Sequence, residues 1–266
     1  MMNILERIVA YKGEEVEAAK HLRPRNMLED LPQFGVPCYS MKRFLLDRSR
    51  TGIIAEYKRR SPSRGIINDN AGVLPVTEAY ASNGASGVSV LTDTPSFGGS
   101  IDDLISARAV SLPILRKEFI VDPYQVVEAR AYGADAILLI AAILSKSQVE
   151  EFALQAMELG LEVILEIHDE SELEHICHGV DIVGVNNRNL KTFEVSLAQS
   201  AALAGSIPKD KIKISESGIH TIHDIRYLQS LGFDGFLIGE SFMKEADPGL
   251  AFMKFANELM LATDES

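Results

Sequence analysis

PILRKEFIVDPYQVVEARAYGADAILLI, residues 113–140, contains one full period of a grammar that recurs along the chain. An apolar, strand-type run ends on a charged group, Lys117. Asp122-Pro123 then offers an N-cap followed by proline at the first helical position, where its missing N–H would have had no partner anyway. Gly133 ends the helical stretch, where a left-handed terminus favours glycine, and AILLI (136–140) opens the next strand. Outward from there, GIIAEYK (52–58), GVSVLT (87–92), EVILEI (162–167), IVGVNN (182–187), KIKISES (211–217) and GFLIGES (235–241) have the same character. With PILRKEF (113–119) and AILLI the runs number eight, and each is followed by a helix-type segment. Ser145 with Gln148 reads as a capping box stapled by Leu144 and Val149, and Asp169 with Glu172 repeats the pattern. Gly84, Gly160 and Gly232 precede their strands as Gly133 does. Alternating units also suit an open doubly wound sheet. The count of eight and the polar residues at the run ends favour closure into an α/β (β/α)8 TIM barrel, which carries its chemistry at the carboxyl ends of its strands.

The bulk composition agrees. The chain has 266 residues, 46% of them hydrophobic and 24% charged. That suits one barrel domain of about 250 residues plus an extension. The reading is a single domain over 1–266, with a helical extension over 1–45 and the barrel over 52–262. A net charge of −12 with scattered Lys and Arg argues against a nucleic-acid partner. Cys38 and Cys177, without a CxxC pair, read as free buried thiols of a reducing compartment. Glutamates interrupt the first twenty residues, so they do not form a secretion signal. AILLIAAIL (136–144) is far shorter than the roughly 20 residues needed to span a bilayer. No membrane association and a cytoplasmic location are expected.

The run ends concentrate ionisable groups. Glu56 and Lys58 are two apart on a strand and so face one side; an ordinary ion pair explains them equally well. Lys117 ends an apolar run, and a buried ammonium needs an anion to meet. Glu166 lies in LEVILEIHDE (161–170), so its carboxylate is either paired or raised in pKa, and a raised pKa suits general acid/base work. Asn186 adds a neutral donor and acceptor with Arg188 two residues on, whereas Asn187 reads as a turn residue. Ser217-Gly218 and Gly239-Glu240 follow the last two strands, the pair of loops that commonly holds phosphate in barrels through backbone N–H groups. Glu240 is expected to present its amide rather than its carboxylate. The six histidines form no HExxH, and no GxGxxG or P-loop occurs. Nothing in the chain asks for a metal or a cofactor.

The segments EYKRRSPSRG (56–65), LTDTPSFGGS (91–100), RKEFIVDPYQ (116–125), GADAILLIAAIL (133–144), LEVILEIHDE (161–170), VGVNNRNLKTF (183–193), SESGI (215–219) and IGESFM (238–243) closely resemble the indole-3-glycerol phosphate synthase family. One departure is local: Ser96 stands before Phe97 where the family commonly has an aromatic. The resemblance implies closure of 1-(2-carboxyphenylamino)-1-deoxyribulose 5-phosphate to indole-3-glycerol phosphate with loss of CO2 and water. It implies a phosphorylated small-molecule substrate, no cofactor, and other tryptophan-pathway enzymes as candidate partners. Lys117 would protonate the developing oxyanion, while Glu166 and the Lys58 and Lys117 ammonium groups would share the dehydration. Glu56 would hold the lysines, and Asn186 and Glu216 would position them or the ribulose hydroxyls. Ser61 and Arg188 would bind the substrate's polar ends, Phe97, Phe119 and Leu138 its aromatic ring, and Ser217, Gly218, Gly239 and Glu240 its phosphate. The extension would cover the catalytic mouth. A related phosphosugar isomerase barrel, a lysine-imine aldolase and a non-catalytic phosphate-binding barrel are the competing readings.

Overall fold

The computed structural model describes residues 4–189 and 192–264. All eight runs form strands: β1 Ile53–Tyr57, β2 Gly87–Leu91, β3 Ile114–Lys117, β4 Ala136–Ile140, β5 Glu162–Ile167, β6 Ile182–Asn186, β7 Ile212–Glu216 and β8 Gly235–Ile238. Each pairs in parallel with its sequence neighbours, and β1 pairs with β8, so the sheet is a closed barrel. The first and last units also meet outside the barrel, where the Tyr80 and Phe252 rings pack at a 60° tilt with centroids 5.1 Å apart. None of the helices among the described residues is long and apolar enough to cross a membrane.

Period two sorts each strand. One parity, including Ile54, Leu115, Leu138, Ile164, Ile182, Ile214 and Leu237, fills the barrel interior. The other, including Ile53, Val88, Ile114, Leu139, Val163, Val183 and Phe236, packs under the surrounding helices. Helix boundaries follow the expected chemistry at most sites. Asp122 and Ser145 both make full capping boxes, and Gly84, Gly133, Gly160 and Gly232 all have positive φ. The Asp169 segment differs. It forms a 3-10 turn, Glu170–His175, whose Glu172 carboxylate accepts from His168 N at 2.6 Å instead of closing a box with Asp169.

The N-terminal extension divides its work. Helix α1 (Ile4–Leu22) places Ile4, Leu5 and Ile8 over the carboxyl-end mouth, as expected. The short helix α2 (Arg25–Glu29) packs beside the helix that begins at Pro123. Helix α3 (Met41–Leu46) goes to the opposite end, where Met41 and Leu45 enter the barrel interior. The space a Cβ would need at Gly87 and Gly235, the first residues of β2 and β8, is taken by Met41 and Leu45 respectively. The extension therefore covers the mouth with α1 alone and plugs the floor with α3. Cys38 and Cys177 are free and half-buried rather than fully buried.

Candidate active site

The interior parity that gives Ile54, Leu115, Ile164 and Ile214 to the core continues one step upward to Glu56, Lys117, Glu166 and Glu216. The same continuation carries β1 to Lys58, β6 to Asn186 and β8 to Gly239. These residues, with Ser61, Phe97, Phe119, Leu138, Arg188, Ser217, Gly218 and Glu240, line one cavity of about 440 Å³. Every residue expected to act on substrate thus faces a common space.

At its floor Lys117 Nζ lies 2.5 Å from Glu216 Oε2 and 3.2 Å from Glu166 Oε2. Burial alone would lower the Lys117 pKa, but Glu216, Glu166 and Glu56 reverse that and raise it above the ordinary lysine value. Lys58 Nζ donates to Glu56 Oε1 at 2.5 Å, so the two form the same-face pair that their spacing required. Glu56 reaches Lys117 through its charge.

The carboxylates divide unexpectedly. Burial acts to raise Glu166, yet the Lys117 ammonium, close contact with His168 and the Asn186 amide at 3.0 Å hold it below the usual carboxylate range. Glu166 is therefore paired and ionised rather than raised. Glu216 is the raised one: burial first, and then the neighbouring Glu166 charge, outweigh Lys117 and push it up to about 7. Its second oxygen, Oε1, is buried with no hydrogen-bond partner, which penalises the ionised form.

Two residues escaped the sequence reading. His168 stands between Glu166 Oε1 at 3.3 Å and Glu172 Oε2 at 3.4 Å, without hydrogen-bond alignment at either ring nitrogen. Burial acts to lower its pKa, and the two carboxylates more than reverse this, raising it to about 10. The parity that places Glu166 inside also places His168, and applying it one step further would have found it. Asn187, taken for a turn residue, is buried. Its amide donates to Ser215 Oγ at 2.9 Å and to the Glu216 and Ser217 carbonyls at 3.0 and 3.1 Å, tying the end of β6 to β7.

The mouth is polar on one side and aromatic on the other. Phe97 and Phe119 lie 6.0 Å apart between ring centroids. Opposite them, Ser217 and Gly218 both adopt positive φ, 67° and 75°. His220 Nδ1 lies 3.0 Å from Ser241 Oγ, joining the loops after β7 and β8. The Glu240 carboxylate is paired with Arg64 Nε at 2.9 Å and Arg188 at 3.6 Å. Gly239 has a further reason to be glycine: a Cβ there would meet the Glu56 side chain at 2.7–3.1 Å.

A closed parallel barrel with a lysine–carboxylate centre buried at the carboxyl ends of its strands defines a (β/α)8-barrel enzyme. Comparison with known proteins narrows this. The family model described as indole-3-glycerol phosphate synthase matches residues 5–255. The indole-3-glycerol phosphate synthase of Bacteroides thetaiotaomicron is 46% identical, over 96% of this chain and 98% of its own. That of Neisseria meningitidis serogroup B is also 46% identical, over 93% and 96%. The chain belongs to the indole-3-glycerol phosphate synthase family and is a carboxy-lyase of tryptophan biosynthesis. Among solved structures, the tryptophan synthase subunit alpha of Legionella pneumophila str. Paris aligns with TM-score 0.60 at 14% identity, covering 85% of this chain and 98% of that one. That likeness concerns the barrel fold alone.

Proposed function

We propose that Lys117, Glu166 and Lys58 carry the proton transfers that convert 1-(2-carboxyphenylamino)-1-deoxyribulose 5-phosphate to indole-3-glycerol phosphate. The observation that carries this reading is the Lys117 ammonium, fixed between Glu216 and Glu166 beneath a slot walled by Phe97, Phe119 and Leu138. The ring carbon bearing the carboxylate bonds to the ketone carbon, and the ketone oxygen takes a proton from Lys117. The resulting iminium within the substrate accepts the electron pair released as CO2 departs, which restores the aromatic ring. The hydroxyl then leaves as water on a proton from a second acid, while a base removes the proton from the neighbouring ring carbon. Glu166, held ionised, suits the base, and the Lys58 ammonium suits the acid. Glu56, Asn186 and Glu216 orient these groups. Ser61 and Arg188 meet the substrate's polar ends, and the backbone around Ser217, Gly218, Gly239 and Glu240 takes its phosphate.

The raised pKa of Lys117 weighs against a lysine-imine aldolase, because an attacking amine is activated by a lowered one. The chain contains no tryptophan, so the indole product is read by fluorescence against a low protein background. Lys117→Met is expected to lower kcat by about 10²–10⁴-fold, the usual contribution of a positioned proton donor, while substrate still binds. A kcat near the parent value removes Lys117 from the role, and a borohydride-trapped adduct on Lys117 or Lys58 during turnover favours the aldolase reading.

A further inference from the structure

Lys12 sits in the middle of α1 with its side chain only 4% exposed. A buried ammonium is costly unless it is paired and hydrogen-bonded. Its Nζ lies 2.6 Å from Glu15 Oε2, 2.9 Å from Asp93 Oδ1 and 3.1 Å from Glu118 Oε1. Glu15 belongs to the same helix. Asp93 and Glu118 do not; they stand just past the ends of β2 and β3, and each has a second task.

Asp93 Oδ2 accepts from Ser96 N at 2.9 Å, which caps the single helical turn Thr94–Phe97 that carries Phe97. Glu118 Oε1, the oxygen that meets Lys12, also accepts from Phe119 N at 2.8 Å, and its Oε2 accepts from Thr92 Oγ1 at 2.7 Å. One residue before Lys12, the Tyr11 hydroxyl donates to Asp93 Oδ1 at 2.8 Å and lies 3.0 Å from Ser96 Oγ. One ammonium therefore joins the two carboxylates that hold the two ring-bearing loops. Without it, Asp93 would lose its cation and Glu118 would keep only the Arg116 guanidinium, 3.8 Å away, so two buried carboxylates on adjoining loops would be undercompensated, an arrangement that disfavours the present geometry.

We propose that Lys12 is a positioning residue for the aryl end of the substrate: through Asp93 and Glu118 it ties its own turn of α1 to the two loops that set the Phe97–Phe119 slot, while Lys20, 2.7 Å from Asp122, holds the helix to the barrel without it. The proposal rests on the slot reading given under Proposed function. A simple anchor for α1 would act differently. Ile4, Leu5 and Ile8 line the same cavity as Gly218 and Gly239, so a loosened helix would weaken both ends of the ligand alike. Loss of Lys12 should instead weaken the aryl end selectively.

The test uses the full chain carrying Lys12→Met and two probes, N-(2-carboxyphenyl)glycine for the aryl end and inorganic phosphate for the other. The aryl probe's Kd is expected to rise by about tenfold or more and that of phosphate to stay within about twofold, since small misplacements of positioning groups have effects of this size or larger. KM should rise more than kcat falls. Equal weakening of both probes, or no weakening of either, overturns the proposal. Lys12→Gln, which keeps a donor without the charge, is held to the same asymmetry if the Met variant does not fold. Hydrogen exchange of the parent gives an independent reading. The aryl probe must protect the amides of Ser96, Phe119 and the Lys12 segment of α1 together, and protection of the loops without the helix overturns the coupling. Phe119→Ala separates the two levels of inference. If that variant binds the aryl probe as the parent does, the slot reading itself fails; if it binds weakly while Lys12→Met is normal, only the Lys12 inference falls.

Discussion

At the scale of single residues, Glu216 holds the most information about how the site is tuned. It is buried, one oxygen is taken by Lys117 at 2.5 Å, and the other has no partner. Its pKa rises from the ordinary 4.5 to about 7, so between those values the folded chain keeps a proton that the unfolded chain has released. Stability must then fall as pH rises through that window, because the native state binds more protons there. Glu216→Gln removes this titration. The stability advantage of the parent over the variant is expected to shrink between pH 4.5 and about 7 and to level off above. Denaturant melts of both chains across that range check it, and a difference independent of pH would show that Glu216 is ionised throughout. Glu56, Lys58, Lys117 and Glu166 were legible because a charged residue at the end of an apolar run has one reasonable place to go. Which carboxyl would be raised was not legible. That depends on Lys117 lying between Glu166 and Glu216, which are fifty positions apart in sequence and are brought to either side of β6 by strand pairing.

At the scale of elements, strands with interior parity must leave room for the charged layer they carry. Gly184 in β6 occupies an interior position, and a Cβ there would collide with Glu216 Oε1 and lie 3.3 Å from its Cδ and 3.4 Å from Ile164 Cγ2. Sequence reading saw VGVNN as a strand end and passed over this glycine, since the residue that needs its space lies on β7. Gly184→Ala should push Glu216 away from Lys117. Overpacking of this kind costs about 1–3 kcal/mol, so a folded variant with kcat reduced by at least about tenfold is expected. Kinetics and a thermal melt on one preparation decide the matter: a parent-like kcat with a lowered Tm would mean that the strain spreads into the sheet and leaves the charged layer in place. The Ser145 capping box, the Asp122 N-cap and the glycine termini were read correctly, where the signal is local to one helix end. The Asp169 segment failed because Glu172 has a competing donor, His168 N, supplied by the residue just past β5.

At the scale of the whole molecule, the extension before β1 is two devices, and one deletion should not treat them as one. Helix α1 closes the mouth through Ile4, Leu5 and Ile8, and is tied down by Lys12 to Asp93 and Glu118 and by Lys20 to Asp122 at 2.7 Å. Helix α3 closes the floor, with Met41 and Leu45 inside the barrel. Its approach also satisfies two carboxylates: half-buried Glu162 accepts from Ser40 Oγ and Lys42 N at 2.6 and 2.9 Å, and buried Asp135 from Tyr39 N at 2.8 Å. Removal of residues 1–22 should therefore leave a folded barrel with a raised KM, since water then reaches charges that the closed mouth shields. Removal of residues 1–46 should do far more. Truncating one large buried apolar side chain costs about 2–5 kcal/mol, and two such losses approach the whole stability of an ordinary domain, about 5–15 kcal/mol. Far-UV circular dichroism melts and steady-state kinetics on both truncations separate the devices. A 1–46 deletion that melts like the 1–22 deletion would show that α3 covers a barrel already complete without it. A 1–22 deletion with the parent's KM would show that α1 contributes packing and nothing to the substrate.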